Sequence, residues 1–368
     1  MNTQKLQDKL EQHITFLKQD EHNVPLLIEI SSLFCDLGDI DSAQKYLDRV
    51  HVIDSKVANA PQGLLYLNQG DLLNAQKYLQ MALHDCDTPA IRYNLGFTYF
   101  LSAEFEQAID LLRPLIDKEH YPSAELLMAR ILHRQDELEQ AIHYIEHILE
   151  YNPDDAEALG FLSLIYFDMN EELLAKELSQ KALAINAEIY DARLVNIVLR
   201  LMTQETTIEE IEELLRINPQ DSRLWFALGS THMTLGDLNS AEHTLLKAIE
   251  VYPEFYDCHI ALAWCQLLND HIKEAHETYQ NAIELVDDLA DAWGGLALVH
   301  ALSNDLIKTE QLIEKANSIN SECFLTEIAE IIYFNQTNPE QAKKSLVNML
   351  NNTAIPISEK LAGLIEEI

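Results

Sequence analysis

Residues 222–255 read SRLWFALGSTHMTLGDLNSAEHTLLKAIEVYPEF, and their spacing decides the fold. Leu224, Trp225 and Leu228 stand at i, i+1 and i+4, and Leu235 follows Leu228 by seven, so a first helix with one apolar face is expected. Gly229 sits on that helix where a side chain would hold a partner helix away. Gly236 can adopt a left-handed backbone cheaply, and Asp237 can accept hydrogen bonds from the first N–H groups of a second helix, which places the turn. Ala241 and Ala248 mark the face of the second helix that must approach the first closely. Pro253 has no N–H to donate and closes the unit. Helices this short cannot bury enough apolar surface in one pair to offset their conformational entropy, so similar units must stack on both sides.

Outward from this stretch the same signals return. Ala43, Ala75, Ala108, Ala141 and Ala175 repeat the Ala241 position at intervals of 32, 33, 33 and 34 residues. They divide residues 24–189 into five units, supported by Gly38-Asp39, Gly63, Gly70-Asp71, Leu95-Gly96, Ala129, Pro153, Leu162 and Ala182. Residues 190–221 depart from the pattern: Ile197 stands where a small side chain is expected, Thr207 fills the second-helix alanine position, and the turn reads TQETT without glycine. This is a shortened, degenerate unit, which either bends or divides the array or has drifted without geometric effect. Residues 222–356 return to the period through Ala263, Ala275, Ala282, Trp293, Ala297, Asn304-Asp305, Ala316 and Ala342, with Ile331 out of pattern. Leu6, Leu10, Ile14 and Leu17 suggest a capping helix within residues 1–23, and Leu361, Leu364, Ile365 and Ile368 a second cap over residues 357–368.

The Trp, Leu-Gly, Ala, Ala and Pro of residues 222–255 resemble the tetratricopeptide (TPR) repeat, and the resemblance extends over about ten units from residue 24 to 356. It implies an all-α, right-handed α-solenoid (superhelix) of antiparallel helix pairs, with a concave groove lined mainly by first helices. By register, the groove-facing residues are Tyr93, Phe97, Phe100, Leu126, Arg130, His133, Leu164, Phe167, Leu194, Val198, Arg223, Phe226, Met233, Ile260, Trp264 and Leu267. Such a lining suits a helix or extended segment of a partner protein, anchored by apolar side chains. The competing reading is that some of these residues pack on neighbouring helices. Chaperone-adaptor members of the family grip a C-terminal carboxylate with Lys, Arg and Asn. Here Arg92, Asn94, Arg130 and Arg223 are the nearest candidates and the lysines are missing, so no such clamp is expected.

Twenty-five Lys and Arg against 61 Asp and Glu give a formal charge of −36. That balance predicts no nucleic-acid partner and favours a partner with basic segments. No apolar run reaches the roughly 18 residues of a membrane span and MNTQKLQDKLEQ lacks a signal-peptide core, so no membrane insertion and a cytoplasmic location are expected. The five cysteines are unclustered; Cys258 and Cys265, the nearest pair, fall on positions that favour small core residues rather than a disulfide or metal site. His143, Glu146 and His147 spell H-x-x-E-H, the ligand pattern of inverted zinc peptidases, on the second helix of the fourth unit. With no cleft and no third ligand identifiable, the stretch reads as exposed helix surface, and a metal-dependent hydrolase is the remotest alternative. The acidic run Glu205 to Glu213 lacks the ligand spacing of a calcium loop. The chain therefore reads as a non-enzymatic interaction scaffold or adaptor, with no cofactor, metal or catalytic residue. The alternative is a cytosolic chaperone or regulator of a bacterial secretion or envelope-assembly system. Self-association through an open groove or a bare end of the stack also fits.

Overall fold

The computed structural model describes residues 3–117, 120–201 and 207–352. Two compact units divide the chain between Met169 and Asn170, and each is an all-α solenoid of antiparallel helix pairs. The first unit opens with α1 (Thr3–Leu17). The pairs α2/α3 (Val24–Asp36, Ile40–Ile53), α4/α5 (Ser55–Asn68, Leu72–Asp85), α6/α7 (Pro89–Leu101, Phe105–Ile116) and α8/α9 (Pro122–Arg134, Leu138–Tyr151) follow, and then α10 (Ala156–Asp168). The second unit begins with α11 (Glu172–Ile185), α12 (Tyr190–Leu201) and α13 (Ile208–Ile217). It continues with the pairs α14/α15 (Ser222–Thr234, Leu238–Val251), α16/α17 (Tyr256–Leu268, Ile272–Leu285), α18/α19 (Ala290–Leu302, Leu306–Ile319) and α20/α21 (Phe324–Thr337, Pro339–Asn352).

The turn inside each pair is set by backbone chirality and capping. In α14/α15, Gly236 adopts φ +77° and Asp237 accepts the Ser240 N–H at 3.1 Å, which starts α15. Asp39, Asp71 and Asp305 cap their helices in the same way. The left-handed slot recurs at Gly38, Gly70, Ala103, Asp136, Asn170, Asp270 and Asn304, with φ between 58° and 79°. Glycine is thus the cheapest occupant of a slot that the turn itself requires.

Close packing follows from the small residues. Ala43, Ala75, Ala108, Ala141, Ala175, Ala241, Ala275 and Ala342 are all fully buried. A Cβ at Gly63 would stand 2.7 Å from Leu79 Cγ, and one at Gly229 2.6 Å from Leu245 Cγ, so the missing side chain on the first helix makes room for a leucine on the second. Helices pack on their chain neighbours. First helices also pack on the next first helix, α2 on α4, α4 on α6 and α6 on α8 in one unit, α14 on α16, α16 on α18 and α18 on α20 in the other. First helices therefore form one continuous side of each stack. Leu6, Leu10 and Leu17 of α1 are buried in a cluster with Leu27, Ile30 and Leu33 of α2.

Two expectations change here. Leu235 does not extend the apolar face of α14: it lies past the helix end, where the chain has already turned, and is 67% exposed. Thr207 is not an interior second-helix residue but the N-cap of α13, in a capping box with Glu210, so α13 starts late and spans only 10 residues. Ile197, large where a small residue was expected, is nevertheless buried. The C-terminal cap expected over residues 357–368 lies outside the described residues, as do Thr203 to Thr206 of the TQETT turn.

Candidate functional site

In the first unit, α6 places Tyr93, Phe97 and Phe100 on one face at i, i+4 and i+7, all half-buried. Their rings belong to a row: Tyr121 to Tyr93 at 6.0 Å, Tyr93 to Phe97 at 6.4 Å, Phe97 to Phe100 at 6.3 Å and Phe100 to Phe105 at 6.2 Å between centroids. Burial in this row, with Tyr121 beside it, raises the Tyr93 hydroxyl above the ordinary tyrosine range. From α8, half-buried Leu126, Arg130 and His133 occupy the next first helix. The Arg130 guanidinium lies 4.3 Å from the Phe161 ring centre, Arg134 lies 6.0 Å from that of Phe100, and His133 Nε2 is 2.7 Å from an Asp168 carboxylate oxygen. Phe167 is half-buried, but Leu164 is 4% exposed. Every residue of α10 from Ala158 to Ile165 is buried, so Leu164 is core rather than lining.

In the second unit, Met233, Ile260 and Trp264 share a cavity of about 550 Å³ with Tyr256, Phe324 and Leu325, and Asp257 and Asp291 stand on its lining. Trp264 meets Phe324 edge to face at 6.3 Å. Partial burial and the neighbouring Asp291 charge raise the Asp257 carboxyl above its ordinary range. Burial pushes the Tyr256 hydroxyl up to about 12, against a hydrogen bond accepted from the Ala292 N–H. Phe226 is half-buried beside Phe255 at 5.2 Å, and Val198 is half-buried on α12. Leu194 and Leu267, 1% and 4% exposed, belong to the packed interior, where neighbouring helices cover the face that register alone assigned to a groove. Arg223 is held by two hydrogen bonds to the Asp221 carboxylate, itself bonded by Tyr190, and Arg92 is bound by Asp87.

The H-x-x-E-H stretch divides. His143 and Glu146 are exposed on α9, but His147 turns toward α8, where its Nδ1 lies 2.7 Å from a carboxylate oxygen of Glu125. His120 Nδ1 approaches the other oxygen at 3.0 Å, and the Tyr121 N–H donates to that oxygen at 3.3 Å. Glu125 is fully buried. The Tyr151 ring stacks on His120 at 4.1 Å and meets His147 edge-on at 5.2 Å. Pattern reading within one helix missed Glu125 and His120. A signal was present, because Glu125 occupies the register of Trp225 and Trp293, where an acid is out of place.

The family model described as "Tetratricopeptide repeat" matches residues 126–155 and 222–255. Human "Superkiller complex protein 3" is 26% identical over 327 residues, which are 84% of this chain and 21% of that protein, so the chain spans about a fifth of its length. The bovine "BBSome complex member BBS4" is 22% identical over 53% of this chain and 44% of its own. Among solved structures, YrrB, described as "a TPR protein with an unusual peptide-binding site", is 19% identical with a TM-score of 0.39, covering 50% of this chain and 97% of its own. Human IFIT1 solved with PPP-AAAA is 17% identical with a TM-score of 0.48, covering 99% of this chain and 90% of its own. The expected exclusion of nucleic acid is withdrawn, because net charge alone does not exclude it and IFIT1, a solved neighbour, is seen with PPP-AAAA. A formal charge summed over 368 residues does not set the potential at one face, and Arg130 and Arg134 already sit over aromatic rings. No helix among the described residues is long and apolar enough to cross a membrane.

Proposed function

We propose that this chain, a tetratricopeptide-repeat protein, works as a non-enzymatic scaffold that holds a segment of a partner protein on the first-helix face of the unit beginning at Asn170. The observation that carries this reading is the cavity around Trp264. Met233, Ile260, Trp264 and Phe324 offer an apolar recess of about 550 Å³, and Asp257 and Asp291 place carboxylates beside it. A segment that inserts an aliphatic or aromatic side chain and presents a lysine or arginine next to it would satisfy both features. The first unit's Tyr93, Phe97 and Phe100 row supplies a second apolar face of the same origin. The reading sets the chain in a reducing, cytoplasmic compartment, in keeping with five cysteines that are scattered rather than clustered in sequence.

Panning a random-peptide library on the full chain tests this. Enriched peptides should carry an apolar residue beside a basic one, and Trp264→Ser should weaken their binding by about 30-fold, the loss typical of an interface anchor. Circular dichroism should remain unchanged, because Trp264 is only half-buried. Undiminished binding by Trp264→Ser overturns the site. Enrichment of oligonucleotides rather than peptides, in a parallel screen sensitive to the same substitution, overturns the partner class.

A further inference from the structure

At one position of the repeat the side chain closes the loop that precedes the first helix. Trp225 Nε1–H donates to the Pro219 carbonyl at 2.9 Å, His259 Nε2 pairs with the Pro253 carbonyl at 2.8 Å, and Trp293 Nε1–H donates to the Asp287 carbonyl at 2.9 Å. In α8 the same position holds Glu125, an acceptor where its counterparts donate. Its carboxylate is fully buried, and burial of an ionised carboxylate is costly unless positive charge compensates it. Among the described residues no arginine or lysine forms an ion pair with it; the groups there that reach its oxygens are the Tyr121 N–H and the imidazoles of His120 and His147. Neutral imidazoles bring hydrogen bonds without charge. A divalent cation between the two rings and the carboxylate would bring the charge.

We propose that His120, Glu125 and His147 bind a divalent transition metal, with zinc as the representative ion. One ligand atom from each residue lies within 4.8 Å of the others, a separation that bonds of about 2.0–2.2 Å to a central ion close with small side-chain shifts. Two imidazole nitrogens and one carboxylate oxygen suit zinc, copper, nickel or cobalt. Calcium and magnesium prefer oxygen throughout. The histidine side chains are 26% and 40% exposed, so an ion can enter from solvent and keep a water as its fourth ligand. Tyr151, packed on both rings, and the Tyr121 N–H on the Glu125 carboxylate fix the orientation of the ligands. Bound metal would tie the residues entering α8 to α9. Of the H-x-x-E-H stretch only His147 takes part.

The test is a titration of the chelator-treated full chain with zinc, and with cobalt as a visible reporter. One equivalent of zinc per chain, a raised thermal midpoint and cobalt d–d absorption are expected. His120→Gln and His147→Gln should each weaken binding at least about tenfold and remove the cobalt bands. The control His143→Gln should leave both unchanged, and helical circular dichroism should persist in all three. Binding should also weaken as the medium is acidified, because protonated rings cannot ligate. Absence of stoichiometric binding, or binding that survives His147→Gln or requires His143, overturns the proposal.

Discussion

A glycine in these helices is defined by what its absent side chain would strike. At Gly96 a Cβ would stand 3.3 Å from Leu112, at Gly229 2.6 Å from Leu245, and at Gly295 2.2 Å from the Tyr279 ring. Alanine gains about 1 kcal/mol of helix propensity over glycine, so the clash decides the sign. Gly96→Ala should be neutral or slightly stabilising. Gly229→Ala should cost about 1 kcal/mol, since the end of Leu245 can shift. Gly295→Ala should cost about 3 kcal/mol, because Tyr279 is fully buried and has no free rotamer to adopt. Thermal denaturation of the three variants checks the order, and Tyr279→Leu in the Gly295→Ala background should recover much of the loss. Gly229 could be read from the sequence because spacing alone places it against the second helix. Gly295 could not, since its contact comes from the preceding helix pair.

At the scale of the element, the turn slots and alanine faces were legible, and Thr207 shows where that legibility ends. Counting residues assigns it to a helix interior; the capping box with Glu210 makes it a start, because local hydrogen bonds outweigh register. The joint between α16 and α18 has a property that no pattern announces. Tyr256 of α16 accepts the Ala292 N–H of α18, and burial raises its hydroxyl from an ordinary value of 10.0 to about 12. The folded pKa is the higher, so the contribution of neutral Tyr256 is complete below pH 10, the ordinary tyrosine value, and is lost as pH rises toward the folded value of about 12. Denaturant midpoints recorded from pH 8 to 12 should fall over the upper half of that range. Tyr256→Phe should lower the midpoint at pH 8 by the equivalent of about 1 kcal/mol and flatten part of the alkaline decline. Tyr93, Tyr190, Tyr279 and the Cys258 thiol, all of which burial also raises, contribute to the remaining slope.

For the whole molecule, packing between chain neighbours means that stability is summed locally. Hydrogen exchange of Gly295→Ala should therefore show faster amides in α17, α18 and α20, and unchanged protection in the unit through Met169. A uniform acceleration across both units would show that they unfold as one. Sequence alone determined the helix pairs, their period and their small-residue faces, since each depends on local backbone chirality, capping and spacings within about 34 residues. Tertiary structure decided which candidate residues remain accessible and which chemistry converges. Leu164, Leu194 and Leu267 are covered by neighbouring helices, Trp264 gains Phe324 from a helix 60 residues later in number, and Glu125 draws His120 and His147 to one point. The reason is physical: register gives the direction of a side chain on its own helix, but exposure and convergence depend on the volume and position of side chains carried by other helices.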